Sequence, residues 1–134
     1  MSGERVLVTG GSGGIGAALA EGVAERGAVV GICGRNEARL ADVLARLREH
    51  SPESRSWTVD LADLDGIEAF AARVVDDLGP LDVLVNNAGI PKRRWAWELD
   101  PGTVEDVMRI NFLSPVALTL AFLPELTERA GRVV

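Results

Sequence analysis

Apolar residues in this chain fall in short runs that alternate with longer stretches of helical spacing. Arg5–Thr9, Ala28–Cys33, Ser56–Val59 and Leu81–Val85 are short and nearly all apolar, the pattern of strands covered on both faces. Gly14–Arg26, Glu37–His50 and about Asp63–Leu78 place apolar residues at helical intervals. Gly27 follows the first of these, and Gly79-Pro80 stops the third, as helix ends often require. The series is βαβαβαβ. Right-handed crossovers then predict a parallel, doubly wound α/β sheet of strand order 3-2-1-4. A loop rich in Pro, Lys, Arg and Trp follows, Ile90 to Leu99, and then one long helix, about Pro101 to Arg129, ended by Gly131. Arg132-Val133-Val134 reads as the beginning of a fifth strand. The expectation is one domain, residues 1–134, truncated in that strand, with Leu81–Val85 left as an open edge that invites pairing.

Composition narrows the function classes. The chain has 134 residues, 47% of them apolar, enough for one core. Its net charge of −6 argues against nucleic acid as a partner, because phosphate backbones need a basic face. No apolar run reaches the ~20 residues of a membrane span. The longest, Val116–Leu123, is interrupted by Thr119 and flanked by Pro115 and Pro124. Met1–Arg5 shows no basic segment followed by an apolar one, so no secretory signal is read there. Cys33 is the one cysteine and has no internal partner, which with the missing signal points to a cytoplasmic setting. The single histidine, His50, has no second metal-ligand candidate near it, so no metal is expected.

Candidate chemistry centres on Thr9-Gly10-Gly11-Ser12-Gly13-Gly14-Ile15-Gly16, five glycines between a strand-like run and an alanine-rich helical run. Glycine permits a sharp turn and close approach of a bulky anion. A helix starting there aims free N–H groups and its positive dipole end at that anion. The spacing alone is ambiguous. Gly11, Gly13 and Gly16 satisfy GxGxxG, while Gly10, Gly14 and Gly16 satisfy GxxxGxG. NAD sites of the first kind want an acid at the end of the second strand. Here that place reads Cys33-Gly34-Arg35-Asn36.

Thr9-Gly-x-x-x-Gly14-Ile15-Gly16, Asp60-Leu61, Asn86-Asn87-Ala88-Gly89 and Asn111, in that order, resemble the short-chain dehydrogenase/reductase family along the entire chain. The resemblance implies a Rossmann-type domain and a hydride transfer between a nicotinamide cofactor and a small carbonyl or alcohol substrate. By it, Gly10, Ser12, Gly14, Ile15 and Gly16 contact cofactor phosphates and ribose. Asp60 takes the adenine amino group with Leu61 alongside, or else caps a helix. Asn87, Ala88 and Gly89 wall the riboses, and Asn86 ties neighbouring strands by its amide. Arg35, with Gly34 giving room and Asn36 adding a donor, suits a 2′-phosphate, so NADP(H) is expected over NAD(H).

Of the family's catalytic set only Asn111 is present. The chain has no tyrosine, so Tyr-x-x-x-Lys is absent, and its only lysine, Lys92, lies in the loop after Gly89. The fragment is therefore expected to be inactive alone. Pro115 cannot donate to the Asn111 carbonyl, which predicts a kink and a carbonyl free to hold a water. Trp95 and Trp97 read as packing residues with a substrate or subunit contact as the alternative. The apolar stretch Phe112–Leu126 resembles the helix that members pair between subunits, so a homo-oligomer is expected. Two other readings stand beside this one: a non-catalytic nucleotide-binding or dimerisation module, and a sugar-nucleotide epimerase of related fold.

Overall fold

The computed structural model describes the whole chain, Met1–Val134. Its strands are β1 (Arg5–Thr9), β2 (Val29–Gly34), β3 (Arg55–Thr58), β4 (Val83–Val85) and β5 (Arg132–Val133). Its helices are α1 (Gly14–Ala24), α2 (Glu37–His50), α3 (Ile67–Leu78), α4 (Pro101–Met108) and α5 (Ser114–Glu128). The sheet runs β3-β2-β1-β4-β5 with every neighbour parallel. The expected order holds, and the fifth strand adds to it.

Alternation along the strands decides which residues meet which helices. Val6, Val8, Val30, Ile32, Val83 and Val85 face α1 and α2, closing on Ala17, Ala20, Val23, Leu40, Val43 and Leu47. Leu7, Cys33, Trp57 and Leu84 face the other way, onto Phe70, Val74 and Leu78 of α3 and Leu118, Phe122 and Leu126 of α5. Each core cluster holds 14 buried residues, so the sheet is covered on both faces, as its apolar strands required.

Two expectations are corrected. Leu81–Val85 is not an open edge, because β5 pairs with β4 at Val83↔Arg132 and Leu84↔Val133. The ladder continues through Val134 N–H to the Leu84 carbonyl (2.9 Å) and Asn86 N–H to the Val134 carbonyl (2.8 Å). Two residues plus their flanks are enough to satisfy the short β4. The long helix is also not uniform: five residues, Arg109–Leu113, form a π turn between α4 and α5. Ser114 N–H reaches back to the Arg109 carbonyl. Pro115 has no N–H for residue 111, and one extra residue in the turn accommodates that loss without ending the helix.

The same continuity changes the membrane reading. Pro101–Glu128 is a run of 28 helical residues, long and apolar enough by length and composition to span a bilayer. Pro115, Thr119 and Pro124 break the apolar run but not the helix. Leu118, Phe122 and Leu126 of this run are buried against α3 and the sheet. Its other side is exposed and apolar, with Val104, Met108, Phe112, Val116 and Leu120 spaced four residues apart.

Candidate functional site

β1, β2 and β4 end side by side, and the loops after them enclose a cleft. The order β3-β2-β1-β4-β5 makes the gap between β1 and β4 the point where the chain's winding reverses. Open α/β sheets place ligands at such a point, outside the carboxyl ends of the strands. The cleft is about 570 Å³ and 15 residues line it.

The floor is the turn from β1 into α1. Gly10 has φ +66 and Gly14 φ +55, conformations that other residues rarely adopt. Gly16 serves a different end. A Cβ there would lie 2.3 Å from the Gly10 carbonyl oxygen and 2.5 Å from Asn87 Nδ2. The residue packs α1 onto the turn rather than facing the cleft. At Gly13 and Gly14 a Cβ would meet nothing within 4 Å, so the space above the turn is open. Gly13 supplies no side-chain cap, which leaves the first-turn N–H groups of α1 aimed outward.

One buried hydroxyl joins β1 to β4. Thr9 Oγ1 accepts from Asn87 N–H (3.0 Å) and Ala88 N–H (2.9 Å), and donates to the Val85 carbonyl (3.3 Å). Asn87 adds a second tie, Nδ2 donating to the carbonyls of Thr9 (3.0 Å) and Gly10 (3.3 Å). The side-chain tie between strands is therefore made by Asn87, to β1, while Asn86 ties β4 to β5 through its backbone N–H. Asn86 turns the other way, its Nδ2 3.4 Å from Thr119 Oγ1 on α5, and its Oδ1 is buried without a partner.

Eight of the expected cofactor residues line the cleft: Gly10, Ser12, Arg35, Asp60, Leu61, Asn87, Ala88 and Gly89. Gly14, Ile15, Gly16 and Asn36 do not. Ile15 stands at the start of α1, 80% exposed. Asn36 caps α2, its Oδ1 accepting from Arg39 N–H (3.0 Å), which leaves only its NH₂ for another partner. Arg35 is exposed and forms no ion pair. A Cβ on Gly34 would sit 3.4 Å from Ser12 Oγ, so glycine keeps the passage between the two loops clear. Asp60 neither caps a helix nor stands free: Oδ1 accepts from Ala62 N–H (3.0 Å) in a local turn, and Oδ2 makes no bond.

Asn111 lies outside the cleft lining but holds its rim. Its Oδ1 accepts from Ile90 N–H (2.8 Å) and its Nδ2 donates to the Ile90 carbonyl (3.0 Å). Sequence reasoning did not single out Thr9, Val59, Ala62, Ile90, Asp106 and Ile110 as site residues, yet the last five line the cleft. Ile110 had one readable signal, its place directly before Asn111. Cys33 is fully buried, and that burial pushes its thiol up to about 12, so it is no nucleophile. Trp95 and Trp97 stack on each other, 5.1 Å between rings and 4° apart, rather than on the core.

A doubly wound parallel sheet with a glycine-rich turn and a helix N-terminus at its switch point defines a nucleotide-binding α/β domain. The family model for short chain dehydrogenase matches residues 4–134, and the chain belongs to that family. It is 38% identical over 135 residues to an uncharacterised oxidoreductase of Mycobacterium bovis, covering 96% of this chain and 39% of that protein. It superposes on L-sorbose reductase from Gluconobacter frateurii, complexed with NADPH and L-sorbose, with TM-score 0.92 and 30% identity, over 99% of this chain and 51% of that one. A variant of actinorhodin polyketide ketoreductase with NADPH gives TM-score 0.90 and 37% identity, over 99% of this chain and 53% of that one. The chain thus spans between two-fifths and about half the length of these relatives.

Proposed function

We propose that this chain is the NADP(H)-binding N-terminal portion of a short-chain oxidoreductase that interconverts a carbonyl compound and its alcohol. The observation that carries the reading is Arg35. It stands unpaired at the end of β2, on the cleft, where an NAD site would place an acid. The residues present fit the cofactor. The open space above Gly13 and Gly14 and the uncapped start of α1 suit a pyrophosphate, with the Ser12 hydroxyl beside it. Arg35 and the Asn36 NH₂ take the 2′-phosphate, and the free Asp60 Oδ2 with Leu61 takes the adenine. Ala88 and Gly89 lie along the riboses, and Ile15 stands exposed at the start of α1, beside the pyrophosphate turn. When bound, the cofactor supplies or accepts the hydride.

Asn111 positions the wall. By holding both backbone groups of Ile90 it fixes the strip Asn87–Ile90 against which the riboses rest. Its backbone carbonyl, to which Pro115 cannot donate, is placed to hold a water of the proton relay. The chain has no tyrosine, so by itself it binds cofactor without turning over. The exposed apolar face from Val104 to Leu120 supports subunit pairing, and the lone buried thiol agrees with a cytoplasmic setting. Titrating the chain with NADPH while following nicotinamide fluorescence tests the reading: saturable enhancement supports it, and no change up to millimolar cofactor overturns it.

A further inference from the structure

We propose that Lys92–Trp97 is a recognition loop for an anionic substrate: a carbonyl or alcohol compound that carries a carboxylate or phosphate beside a planar or apolar portion. The proposal rests on the oxidoreductase reading above and names the substrate class of that same site.

Charge placement is the first observation. The chain carries 14 cationic against 20 acidic residues, yet Lys92, Arg93 and Arg94 stand in succession, all exposed. Several arginines elsewhere are engaged, while Arg35, Arg39 and Arg109 stand singly without a side-chain partner. Arg46 pairs with Glu21, Arg129 with Asp82 and Arg132 with Glu4. Arg5 and Arg26 donate to the carbonyls of Leu78 and Gly22. The three loop cations form no ion pair, including none with Asp106, the carboxylate that shares the cleft lining with Lys92. Three adjacent like charges repel one another, and in this acidic chain they make a local positive field that attracts an anion.

Position is the second. Lys92 lines the cleft together with Gly89 and Ile90. Ile90, two residues before it, is the residue that Asn111 holds by two hydrogen bonds. Asn111 is the one member of the family's catalytic set in this chain, so the cations begin beside the reacting end of the site. The far end of the loop closes on itself in a local turn: Glu98 Oε2 accepts from Trp95 N–H (3.2 Å), and Glu98 N–H donates to the Trp95 carbonyl (2.9 Å). The loop is held to the site at its near end, through Ile90, and ordered by that turn at its far end.

The aromatic pair is the third. Trp95 and Trp97 stack on each other while 66% and 78% exposed, so two large faces remain in water directly after the cations. Such faces bind planar or apolar groups, and the neighbouring cations fix the orientation of an attached anion.

Isothermal titration of the NADP⁺-loaded protein tests this with two matched pairs. Dihydroxyacetone phosphate is compared with dihydroxyacetone, and 4-carboxybenzaldehyde with 4-methylbenzaldehyde. The expected result is tighter binding of the anion in at least one pair, and which pair identifies phosphate or carboxylate as the recognised group. The double variant Arg93→Gln, Arg94→Gln, which leaves the cleft-lining Lys92 in place, should weaken the preferred anion about tenfold or more. It should leave the neutral partner and the NADPH affinity unchanged. Equal affinity within both pairs overturns the proposal, as does a double variant that loses NADPH affinity instead. Failure of the unmodified protein to bind NADPH at all is a separate result, and it overturns the underlying reading of the cleft.

Discussion

The two ends of the sheet are built on opposite rules. Where the strands begin, charges are matched. Asp82 accepts from Arg5 N–H (2.8 Å) and from Arg129 Nε (2.7 Å), and Arg132 bonds Glu4. Where β1, β2 and β4 end, Arg35 is left unpaired, α1 starts without a cap, and Asp60 keeps one oxygen unbonded. A domain stabilised only for its own sake would treat both ends alike. On the proposed function, the unmet donors and charge at one end are groups left for a ligand, and the glycine turn is the means of keeping them accessible.

The largest expected effect comes from filling that turn. Gly16→Ala forces a Cβ against the Gly10 carbonyl oxygen, a backbone atom with no easy retreat. NADPH affinity should fall by more than about a hundredfold, and thermal unfolding should shift down. Gly13→Ala, whose Cβ meets nothing, should unfold at nearly the unmodified temperature. Equal melting losses in the two variants would contradict the packing role given to Gly16.

Arg35→Ala comes next. A hydrogen bond to a charged group contributes about 1.5–3 kcal/mol, or roughly ten- to hundredfold in affinity. NADPH should weaken by that order while NADH hardly changes, as read by nicotinamide fluorescence. Equal loss of both cofactors would remove Arg35 from the 2′-phosphate.

The paired end predicts smaller effects, on stability alone. Asp82→Ala removes one partly buried backbone bond and one exposed ion pair, a loss of about 1–2 kcal/mol in denaturant unfolding. Cofactor affinity should not move. Burial alone would raise the Asp82 carboxyl, but its bonds to Arg129 and Arg5 outweigh it and hold the group below its ordinary value. A depressed folded value means that this stabilisation is fully present above the unfolded carboxylate value near pH 4. It is lost as pH falls through the folded value. The unmodified chain should therefore lose more stability on acidification across that window than Asp82→Ala does. Parallel pH curves would count against the pairing.

How much of this was legible beforehand differs by level. Strands and helices followed from apolar spacing, and the glycine turn, Arg35 and Asp60 from local motif. Thr9 was missed because its partners, Val85, Asn87 and Ala88, lie 76 to 79 residues away and meet it only through the β1–β4 register. That the Asn87 side chain ties β4 to β1, besides lining the cleft as expected, was missed for a related reason. Successive side chains on an extended segment point to opposite sides, and the sequence does not say which side faces β1. The π turn before Pro115 was read only as a kink, since a missing N–H says that the helix must adjust and not how.

The central claim is that the open end of the sheet recognises a 2′-phosphorylated adenine nucleotide. Comparing the affinity of the chain for 2′,5′-ADP and for 5′-AMP by isothermal titration isolates that recognition from the nicotinamide and from any turnover. The account predicts tighter binding of 2′,5′-ADP by about tenfold or more, abolished by Arg35→Ala. Equal affinity for the two nucleotides would contradict it.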